Sequence, residues 1–458
     1  MDQYAPIAAI STPYGKGGIA VIRISGENAI AIADRLFKPK NRRKLSDAAP
    51  NTAVYGEIIS EGEAIDDGIA TVFRAPRSFT GEDTVEVSCH GGIALTNEVL
   101  GAAFSCGCRP AAAGEFTKRA FLNGKISLSQ AEAIGGLIDA KSREAVLLSS
   151  AQSRGVLRDE VKRISDEISL LLASVYAVID YPDEDLADLS ADQIKERAEA
   201  IEKRLDRLCS TYRSGRAICE GIGTVIIGKP NVGKSSILNL ILGKDRAIVT
   251  GTAGTTRDII EETVTVGKVL LRLCDTAGLR ETDDEIESIG IKRAKEKLGE
   301  AELVLAVFDG SSPAEKEDLE LIDELSKLDT EIIPILNKSD LTKRFDCSLL
   351  SKLGEPFICS AHDTECAEAL KSRISELFVS GKIDYSFEAV ISNQRQYAAA
   401  KEALMHVRQA ISALSCGLAQ DIAGNDLELA YSRLLELDGR QAASDITDKI
   451  FSHFCVGK

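Results

Sequence analysis

The sequence predicts a multidomain protein of mixed α/β and α class, with an N-terminal α+β domain, a helical bundle domain and an inserted α/β domain. Three observations support this fold class. The chain has 458 residues, which is enough for about three domains. Glycine and proline become rare after residue 122, where apolar residues begin to recur at helical spacing. Between residues 216 and 382, short apolar strands alternate with helical segments, as in an α/β domain.

The first domain, residues 1–122, is rich in glycine, proline and short alternating apolar runs, which are typical of strands. The predicted strands are residues 19–24, 54–59, 68–73 and 84–88. Residues 15–18 (Gly-Lys-Gly-Gly) have the composition of a phosphate loop, but a strand follows them instead of a helix. We therefore interpret this segment as a turn.

Two helical segments flank the inserted domain. Residues 123–215 form the first half of the helical domain, and residues 383–458 form the second half. Apolar residues recur at helical spacing in the first half, as in Ile164, Ile168, Leu171, Leu172 and Val175. The proline in residues 181–186 predicts a helix break. We expect the two halves to pack together as a bundle, with residues 216–382 inserted between them.

Composition limits the class of protein. Apolar residues make up 44% of the chain and charged residues 28%, as in an ordinary soluble protein. No stretch approaches the roughly 18 consecutive apolar residues of a membrane span. The N-terminal segment lacks the basic region of a secretory signal. We expect a cytoplasmic protein without a membrane partner, whose eleven cysteines stay reduced.

The net charge of −16 bears on nucleic-acid binding. A polyanion would have to meet a local basic patch, because the protein as a whole is acidic. The densest cationic run is residues 38–44, Lys-Pro-Lys-Asn-Arg-Arg-Lys. A run of this length is more often a solvated loop, and the sequence leaves both interpretations open.

Residues 228–235 read Gly-Lys-Pro-Asn-Val-Gly-Lys-Ser, which fits the P-loop pattern. Glycines let backbone N–H groups surround phosphates, Lys234 adds a positive charge, and the Ser235 hydroxyl suits Mg²⁺. An apolar strand, residues 223–227, precedes the loop. A helix over residues 235–242 is predicted to follow, with its N-terminus toward the anion. A glycine turn before a structural helix is the alternative.

Three further motifs each follow an apolar strand: residues 275–278 (Asp-Thr-Ala-Gly), 337–340 (Asn-Lys-Ser-Asp) and 360–361 (Ser-Ala). The aspartate of the first can hold Mg²⁺ through water, and its glycine can donate to a γ-phosphate. The carboxylate of Asp340 can accept the N1–H and the exocyclic amine of guanine, a donor pair that adenine lacks. Each motif alone is weak, but four in this order predict a Ras-like G domain with ligands at the carboxyl ends of its strands.

Segments outside these motifs resemble the MnmE (TrmE) family of tRNA wobble-uridine modification GTPases. They are residues 17–26, 78–83, 90–92, 114–123, 254–258, 275–280 and 454–458. The last segment, Phe-Cys-Val-Gly-Lys, is similar to the family's C-terminal Cys-aliphatic-Gly-Lys. The resemblance extends over essentially the whole chain.

This resemblance implies an enzyme that acts with an FAD-dependent partner, MnmG. Together they would install an aminomethyl-type group (carboxymethylaminomethyl) on C5 of the wobble uridine of certain tRNAs. The one-carbon unit would come from a 5-formyl- or methylene-tetrahydrofolate, and FAD would belong to the partner alone. The resemblance also implies a homodimer through the N-terminal domain and a heterotetramer with MnmG.

The resemblance also implies roles in hydrolysis. Leu279 follows the Asp-x-x-Gly motif, where many GTPases place a glutamine that orients the attacking water. The family pattern points to Glu287 instead, acting through a bridging water, although a carboxylate is also favoured in the first turn of a helix. Lys234 is the other catalytic residue, and Ser235 with Thr256 would hold Mg²⁺.

A monovalent cation is implied where an arginine finger would otherwise stand. The residues matching the family's potassium site are Asn231, Thr250, Thr252 and Thr255. The predicted GTP-binding residues are Asn231, Val232, Gly233, Lys234, Ser235, Ser236, Thr250, Gly251, Thr252, Ala253, Gly254, Thr255, Thr256, Asp275, Thr276, Ala277, Gly278, Asn337, Lys338, Asp340, Ser360 and Ala361.

For folate, the resemblance implies Arg23, Glu86, Lys125 and Lys458. A carboxylate can pair with pterin N–H groups, and cations suit the glutamate tail. Arg23 and Glu86 also alternate with apolar residues, so solvent-facing strand positions are the alternative. Cys455 is either a nucleophile or a packing residue of a terminal helix.

Two other classes stay open on the sequence alone. The first is a ribosome-assembly or translation GTPase, which would share the G domain but is not expected to carry the N-terminal domain or the C-terminal tail. The second is a dimerising scaffold that binds GTP without hydrolysing it. The intact Lys234, Ser235 and Asp275 argue against the scaffold.

Overall fold

The computed structural model describes residues 5–180, 190–242, 262–273, 298–299, 301–379, 384–441, 444–452 and 454–457. The chain divides into two compact units. The first unit contains Met1–Gly135, Ser153–Asp166 and Tyr431–Lys458. The second contains Gly136–Gln152 and Glu167–Ala430. The predicted fold class is confirmed, whereas the domain boundaries after residues 122, 215 and 382 stay a prediction.

The first unit is built on a mostly antiparallel sheet. Its strands are β1 (Ile7–Ile10), β2 (Ile19–Ser25), β3 (Phe37–Pro39), β4 (Thr52–Ser60), β5 (Glu63–Phe73), β6 (Thr84–His90) and β7 (Arg109–Pro110). They lie in the order β3-β4-β5-β6-β2-β1-β7, and only the β1–β7 pair is parallel. The four predicted strands are confirmed as β2, β4, β5 and β6. The strands that sequence reading missed, β1, β3 and β7, have four residues or fewer, too short for a clear alternation.

Alternation along β2 and β6 separates the two faces of this sheet. Ile22 and Ile24 of β2 and Val85 and Val87 of β6 are buried in one apolar core, together with residues of the helices that precede and follow these strands. Arg23 lies between the two isoleucines and therefore points to the opposite face. Residues 15–18 form a bend that leads into β2, as predicted.

The described residues form fourteen α-helices. They are α1 (Ala29–Leu36), α2 (Ile93–Ser105), α3 (Glu115–Leu122), α4 (Leu128–Asp139), α5 (Arg143–Ser153), α6 (Val156–Asp180), α7 (Ala191–Ser210), α8 (Tyr212–Cys219), α9 (Lys234–Leu242), α10 (Lys316–Leu325), α11 (Thr364–Phe378), α12 (Gln394–Ser415), α13 (Gln420–Asp438) and α14 (Ser444–Ser452). Two short 3₁₀ helices cover Leu45–Asp47 and Cys347–Lys352.

The helical halves meet within the second unit. α7 begins with a capping box, in which the Ser190 and Gln193 side chains each accept a hydrogen bond from the other residue's backbone N–H. It packs along α12 of the second half, where Arg408 bonds Glu202 at 2.8 Å and Asp206 at 2.7 Å. The helix break predicted in residues 181–186 lies outside the described residues.

The second unit also contains a sheet that is parallel apart from one edge pair. Its strands are β8 (Ile222–Ile227), β9 (Glu262–Val266), β10 (Val269–Leu273), β11 (Leu303–Asp309), β12 (Glu331–Asn337) and β13 (Phe357–Ile358). The order is β13-β12-β11-β8-β10-β9, and only β9–β10 is antiparallel. All of β8 is buried, with Ile226 in one apolar core and Val225 and Ile227 in another. The carboxyl ends of β8, β11, β12 and β13 therefore meet along one edge of the sheet.

Candidate functional site

The P-loop connects the carboxyl end of β8 to the first turn of α9. Gly233 has a left-handed φ of 98°, and a Cβ at this position would lie 2.2 Å from Asn337 Nδ2. A Cβ on Gly228 would lie 2.3 Å from the Val307 carbonyl oxygen of β11. Both positions therefore require glycine. This close packing places the loop's backbone beside the helix N-terminus, where the helix dipole favours an anion.

Asn337 joins three of the predicted motifs. It ends β12 and is only 2% exposed. Its Nδ2 donates to the Val232 carbonyl oxygen at 2.8 Å, and its Oδ1 accepts from the Ala361 N–H at 3.1 Å. The P-loop and residues 360–361 are thus tied to one buried amide. Motifs separated by more than a hundred residues of sequence come together at this edge of the sheet.

Asp309 contributes a link that sequence reading missed. Its Oδ2 lies 2.6 Å from Lys338 Nζ, and its Oδ1 accepts from the backbone and hydroxyl of Ser311. Burial alone would raise the pKa of Asp309, but the hydrogen bonds from Lys338 and Ser311 lower it. The aspartate therefore stays ionised and orients the lysine of the Asn-Lys-Ser-Asp motif. Its position directly after an apolar strand was the available signal.

Asp340 has the properties required for guanine recognition. The carboxylate is exposed, and hydrogen bonds from Ser360 and from its own backbone N–H lower its pKa. An ionised carboxylate only accepts hydrogen bonds, which matches the paired N1–H and amine donors of guanine. Asp340 and Ser360 come from different predicted motifs and meet here.

One lysine and two carboxylates hold the start of the P-loop in place. Lys229 Nζ lies 2.7 Å from both Glu315 Oε2 and Asp318 Oδ2, and Asp318 is only 3% exposed. Burial alone would lower the pKa of Lys229. The hydrogen bonds and charges of the two carboxylates have a larger effect, so the pKa is raised. The Lys229 carbonyl oxygen in turn accepts from Lys234 Nζ at 2.7 Å. The start of α10 thereby fixes the loop that carries the phosphate-binding lysine.

Several predicted site residues lie outside the described residues. They are Thr250, Gly251, Thr252, Ala253, Gly254, Thr255, Thr256, Asp275, Thr276, Ala277, Gly278, Glu287 and Lys458. Leu279 lies outside them as well. The described part of the nucleotide site therefore comprises the P-loop and the two base-recognition segments.

In the first unit, Arg23 and Glu86 are cross-strand partners on β2 and β6. Arg23 Nε lies 2.8 Å from Glu86 Oε1, and the two side chains are 17% and 29% exposed. The guanidinium also lies over the rings of Phe79 and Phe116, at 5.8 and 5.4 Å from their centroids. The ion pair is therefore partly buried and bordered by two aromatic rings.

Lys125 lies beside the same aromatic segment. Its Nζ donates to the Pro76 carbonyl oxygen at 2.8 Å, and its Cγ would be 3.2 Å from a Cβ on Gly81. Residues 76–81 therefore contact Lys125, while Phe79 within them contacts Arg23. The structure brings these two predicted residues to one segment.

Neighbouring charges of the same domain have a structural role. Arg119, only 4% exposed, lies 3.1 Å from Glu82 Oε2 and 3.0 Å from Glu115 Oε1. Glu115 also accepts from Arg109 at 2.5 Å. Burial alone would raise the pKa of Glu115, but hydrogen bonds from Arg109, Ala112 and Arg119 lower it to about 2. These residues lie in or beside the family-like segments and hold the domain together, which their sequence pattern did not indicate.

The stability of the first unit should depend on pH through Glu115. Its folded pKa lies below the ordinary value of 4.5, so the carboxylate stabilises the fold above about pH 4.5. This stabilisation, roughly 3 kcal/mol, should be lost as the pH falls toward 2. Glu115→Gln should therefore lower the urea midpoint of the first unit at pH 7 much more than at pH 3. The exposed Glu63→Gln should change neither midpoint, and an equal loss at both pH values for Glu115→Gln would contradict the expectation.

The C-terminal tail packs within the first unit. Val456 forms an antiparallel bridge with Ala113, and the Gly457 carbonyl oxygen accepts from Ser11 Oγ at 3.0 Å. A Cβ on Gly457 would lie 2.0 Å from the Ile10 carbonyl oxygen, so this position requires glycine. Cys455 follows the end of α14 and is exposed. Its thiol is therefore accessible to small molecules.

No group of three or more His, Cys, Asp or Glu side chains is arranged as a metal site within the described ranges. Within the same part of the chain, no helix combines the length and apolar character needed to cross a membrane. The ten cysteines that the structure describes are all free thiols.

The glycine-rich loop after a buried parallel strand, together with Asn337 and Asp340 at the neighbouring strand end, defines a P-loop GTPase. A family model described as the GTP-binding protein TrmE N-terminus matches residues 6–125, and a model of the MnmE helical domain matches residues 128–455. The chain belongs to the MnmE (TrmE) family. The resemblance inferred from the sequence is thereby confirmed.

Curated relatives match over the full length. A protein of Lactococcus lactis subsp. lactis named tRNA modification GTPase MnmE is 43% identical over 458 residues, covering 100% of this chain and 99% of the relative. A protein of the same name from Geobacillus kaustophilus is 40% identical and covers 100% of both chains. A solved structure of Aquifex aeolicus Era is 24% identical and covers 40% of this chain and 66% of that chain. Its TM-score is 0.26. The alternative of a ribosome-assembly GTPase is not supported, because both matched models are of TrmE or MnmE.

Proposed function

We propose that this GTPase uses GTP hydrolysis in the modification of the wobble uridine of certain tRNAs. The observation that carries the nucleotide part is the buried Asn337, which joins the P-loop to the base-recognition segments. The curated relatives carry the name tRNA modification GTPase and support the RNA part. The reaction would take place in the cytoplasm, where tRNA is available.

The residues of the proposed nucleotide site would have different roles. The P-loop backbone from Asn231 to Ser236 would surround the phosphates, and Lys234 would neutralise their charge. Asp340 would bind the guanine edge, with residues 360–361 beside the base. Ser235 lies in the first turn of α9, a fitting position for a hydroxyl ligand of Mg²⁺, and Thr256 would be the second. When bound, Mg²⁺ neutralises charge that develops on the phosphates.

We propose a potassium site at Asn231 with Thr250, Thr252 and Thr255. Asn231 has a left-handed φ of 62° within the P-loop, and its side-chain amide supplies an oxygen ligand. A monovalent cation there would supply charge where an arginine finger acts in other GTPases. The G domains of a homodimer would associate around it.

Exchanging K⁺ for Na⁺ tests this site. Loss of a comparable charge partner costs about 10³–10⁵ in rate in other GTPases, and an exchangeable ion should matter less. We expect GTP turnover to fall at least about ten-fold in NaCl relative to KCl at equal ionic strength. Asn231→Ala should remove the difference but retain nucleotide binding. Equal rates in the two salts would show that a side chain supplies the charge.

We propose that the first unit binds a 5-formyl- or methylene-tetrahydrofolate. The Glu86 carboxylate would accept pterin N–H groups, and Arg23, Lys125 and Lys458 would offer positive charge. The partly buried Arg23–Glu86 pair and the exposed ring of Phe79 fit a flat, polar heterocycle with an anionic tail. When bound, the folate supplies the one-carbon unit.

Calorimetry with 5-formyl-tetrahydrofolate tests the pocket. Arg23→Ala and Glu86→Ala should each weaken binding about ten-fold or more, because each removes a charge-assisted hydrogen bond of roughly 1.5–3 kcal/mol. Glu63→Ala, an exposed change on β5, should bind like the unaltered protein. Undetectable binding to the full-length dimer would remove folate from the proposal.

The complete reaction would need the FAD-dependent partner MnmG, in a heterotetramer with a homodimer of this chain. Cys455 is a further candidate nucleophile, because its thiol is exposed on the tail that pairs with Ala113 of the first unit. The most direct test is the analysis of tRNA from cells that lack this protein. We expect the C5 group of the wobble uridine to be missing. An unchanged wobble uridine would contradict the proposed function.

A further inference from the structure

The end of the edge strand β3 and the loop that follows it are strongly cationic. Residues 38–44, here called the basic loop, hold five lysine or arginine side chains in seven residues, and all five are exposed. Its backbone is ordered by hydrogen bonds, because Lys40 N–H donates to the Tyr55 carbonyl oxygen at 3.1 Å and Arg42 N–H to that of Pro39 at 3.0 Å. The basic loop is therefore a defined surface feature.

The nearby carboxylates leave most of this charge unpaired. Lys40 forms salt bridges with Glu57, at 2.5 Å, and with Asp67, at 3.4 Å. Asp34 uses its oxygens to accept the backbone N–H groups of Leu45 and Ser46. The remaining cations have no salt bridge to any residue that the structure describes. They are Lys38, Arg42, Arg43 and Lys44.

We infer that the basic loop contacts the phosphate backbone of the tRNA, an inference that rests on the proposed function. A chain of net charge −16 repels a polyanion, so RNA must approach through a local positive surface. Exposed arginines suit phosphates because the guanidinium can donate two parallel hydrogen bonds. Such contacts hold the RNA without reading its sequence.

The test uses the full-length protein, total tRNA and a series of salt concentrations. The double variant carries both Arg42→Asn and Arg43→Gln. Asparagine suits position 42 because Arg42 has a left-handed φ of 61°, which asparagine tolerates. We expect tRNA affinity at low salt to fall about ten-fold, and the slope of log K against log salt to decrease by roughly 1.5–2. GTP turnover without tRNA should be unchanged, since these residues lie in the first unit.

Lys40→Gln is the matched control. It removes the same charge as Arg43→Gln from the same loop, but Lys40 is already held by Glu57 and Asp67. It should change tRNA affinity less than about two-fold and leave the salt slope unchanged. If Lys40→Gln weakens binding as much as Arg43→Gln measured as a single variant, net charge is responsible and the inference is wrong.

Two other outcomes are also decisive. If the double variant binds tRNA with the affinity and salt slope of the unaltered protein, the basic loop is a solvated loop. If it loses binding only to vesicles containing anionic lipid, the partner is a membrane surface and the inference is again overturned. Failure of the unaltered protein to bind tRNA under any of these conditions would instead contradict the proposed function itself.

Discussion

Replacing Gly233 with alanine should weaken the binding of both GDP and GTP by at least about 30-fold. The left-handed φ of 98° strains any residue with a Cβ, at a cost of roughly 1–3 kcal/mol. The new Cβ would also lie 2.2 Å from Asn337 Nδ2. Asn337 would have to move and leave buried hydrogen-bonding groups without partners, which costs roughly another 1–3 kcal/mol.

Fluorescence titration with a labelled guanine nucleotide measures this effect. Gly101→Ala is the matched control, because a Cβ at position 101 meets no atom within 4 Å and Gly101 lies in the helix α2 of the other unit. It should bind nucleotide normally. Near-normal affinity of Gly233→Ala would mean that the P-loop adapts without disturbing Asn337, contrary to the packing described above.

Glu287→Ala should lower the rate of GTP hydrolysis by about two orders of magnitude, the usual scale for a group that positions or deprotonates water. Leu279 occupies the place of the usual glutamine and cannot polarise water. We propose that Glu287 performs that task. Because the carboxylate would act on water rather than on the nucleotide, affinity for GTP should stay close to normal.

Single-turnover hydrolysis and nucleotide titration separate these two quantities. Glu285→Ala removes the same charge two residues earlier and should leave the hydrolysis rate nearly unchanged. If Glu287→Ala hydrolyses GTP at the normal rate, another group positions the water. If both rate and affinity fall together, Glu287 supports the fold of this segment instead.

Much of the architecture could be predicted because its signals are local. The P-loop, the strand before it and the helix after it are adjacent in sequence, so their order alone indicates a phosphate site. Likewise, Ile164, Ile168 and Val175 repeat at helical spacing and are buried on α6 as expected. Strands of four or fewer residues, such as β3 and β7, carry too few residues for a pattern and were missed.

The sequence by itself determined the G-domain motifs, the family and the residue types available for chemistry. Only the tertiary structure decided which of these residues are partners. Asp309 with Lys338, Lys229 with Asp318, and Arg119 with Glu82 are each separated by 29 to 89 residues along the chain. Such pairs depend on which strands and helices become neighbours in the fold. Spacing reports the period of a helix or strand, whereas a contact between distant residues forms only after the intervening chain has folded.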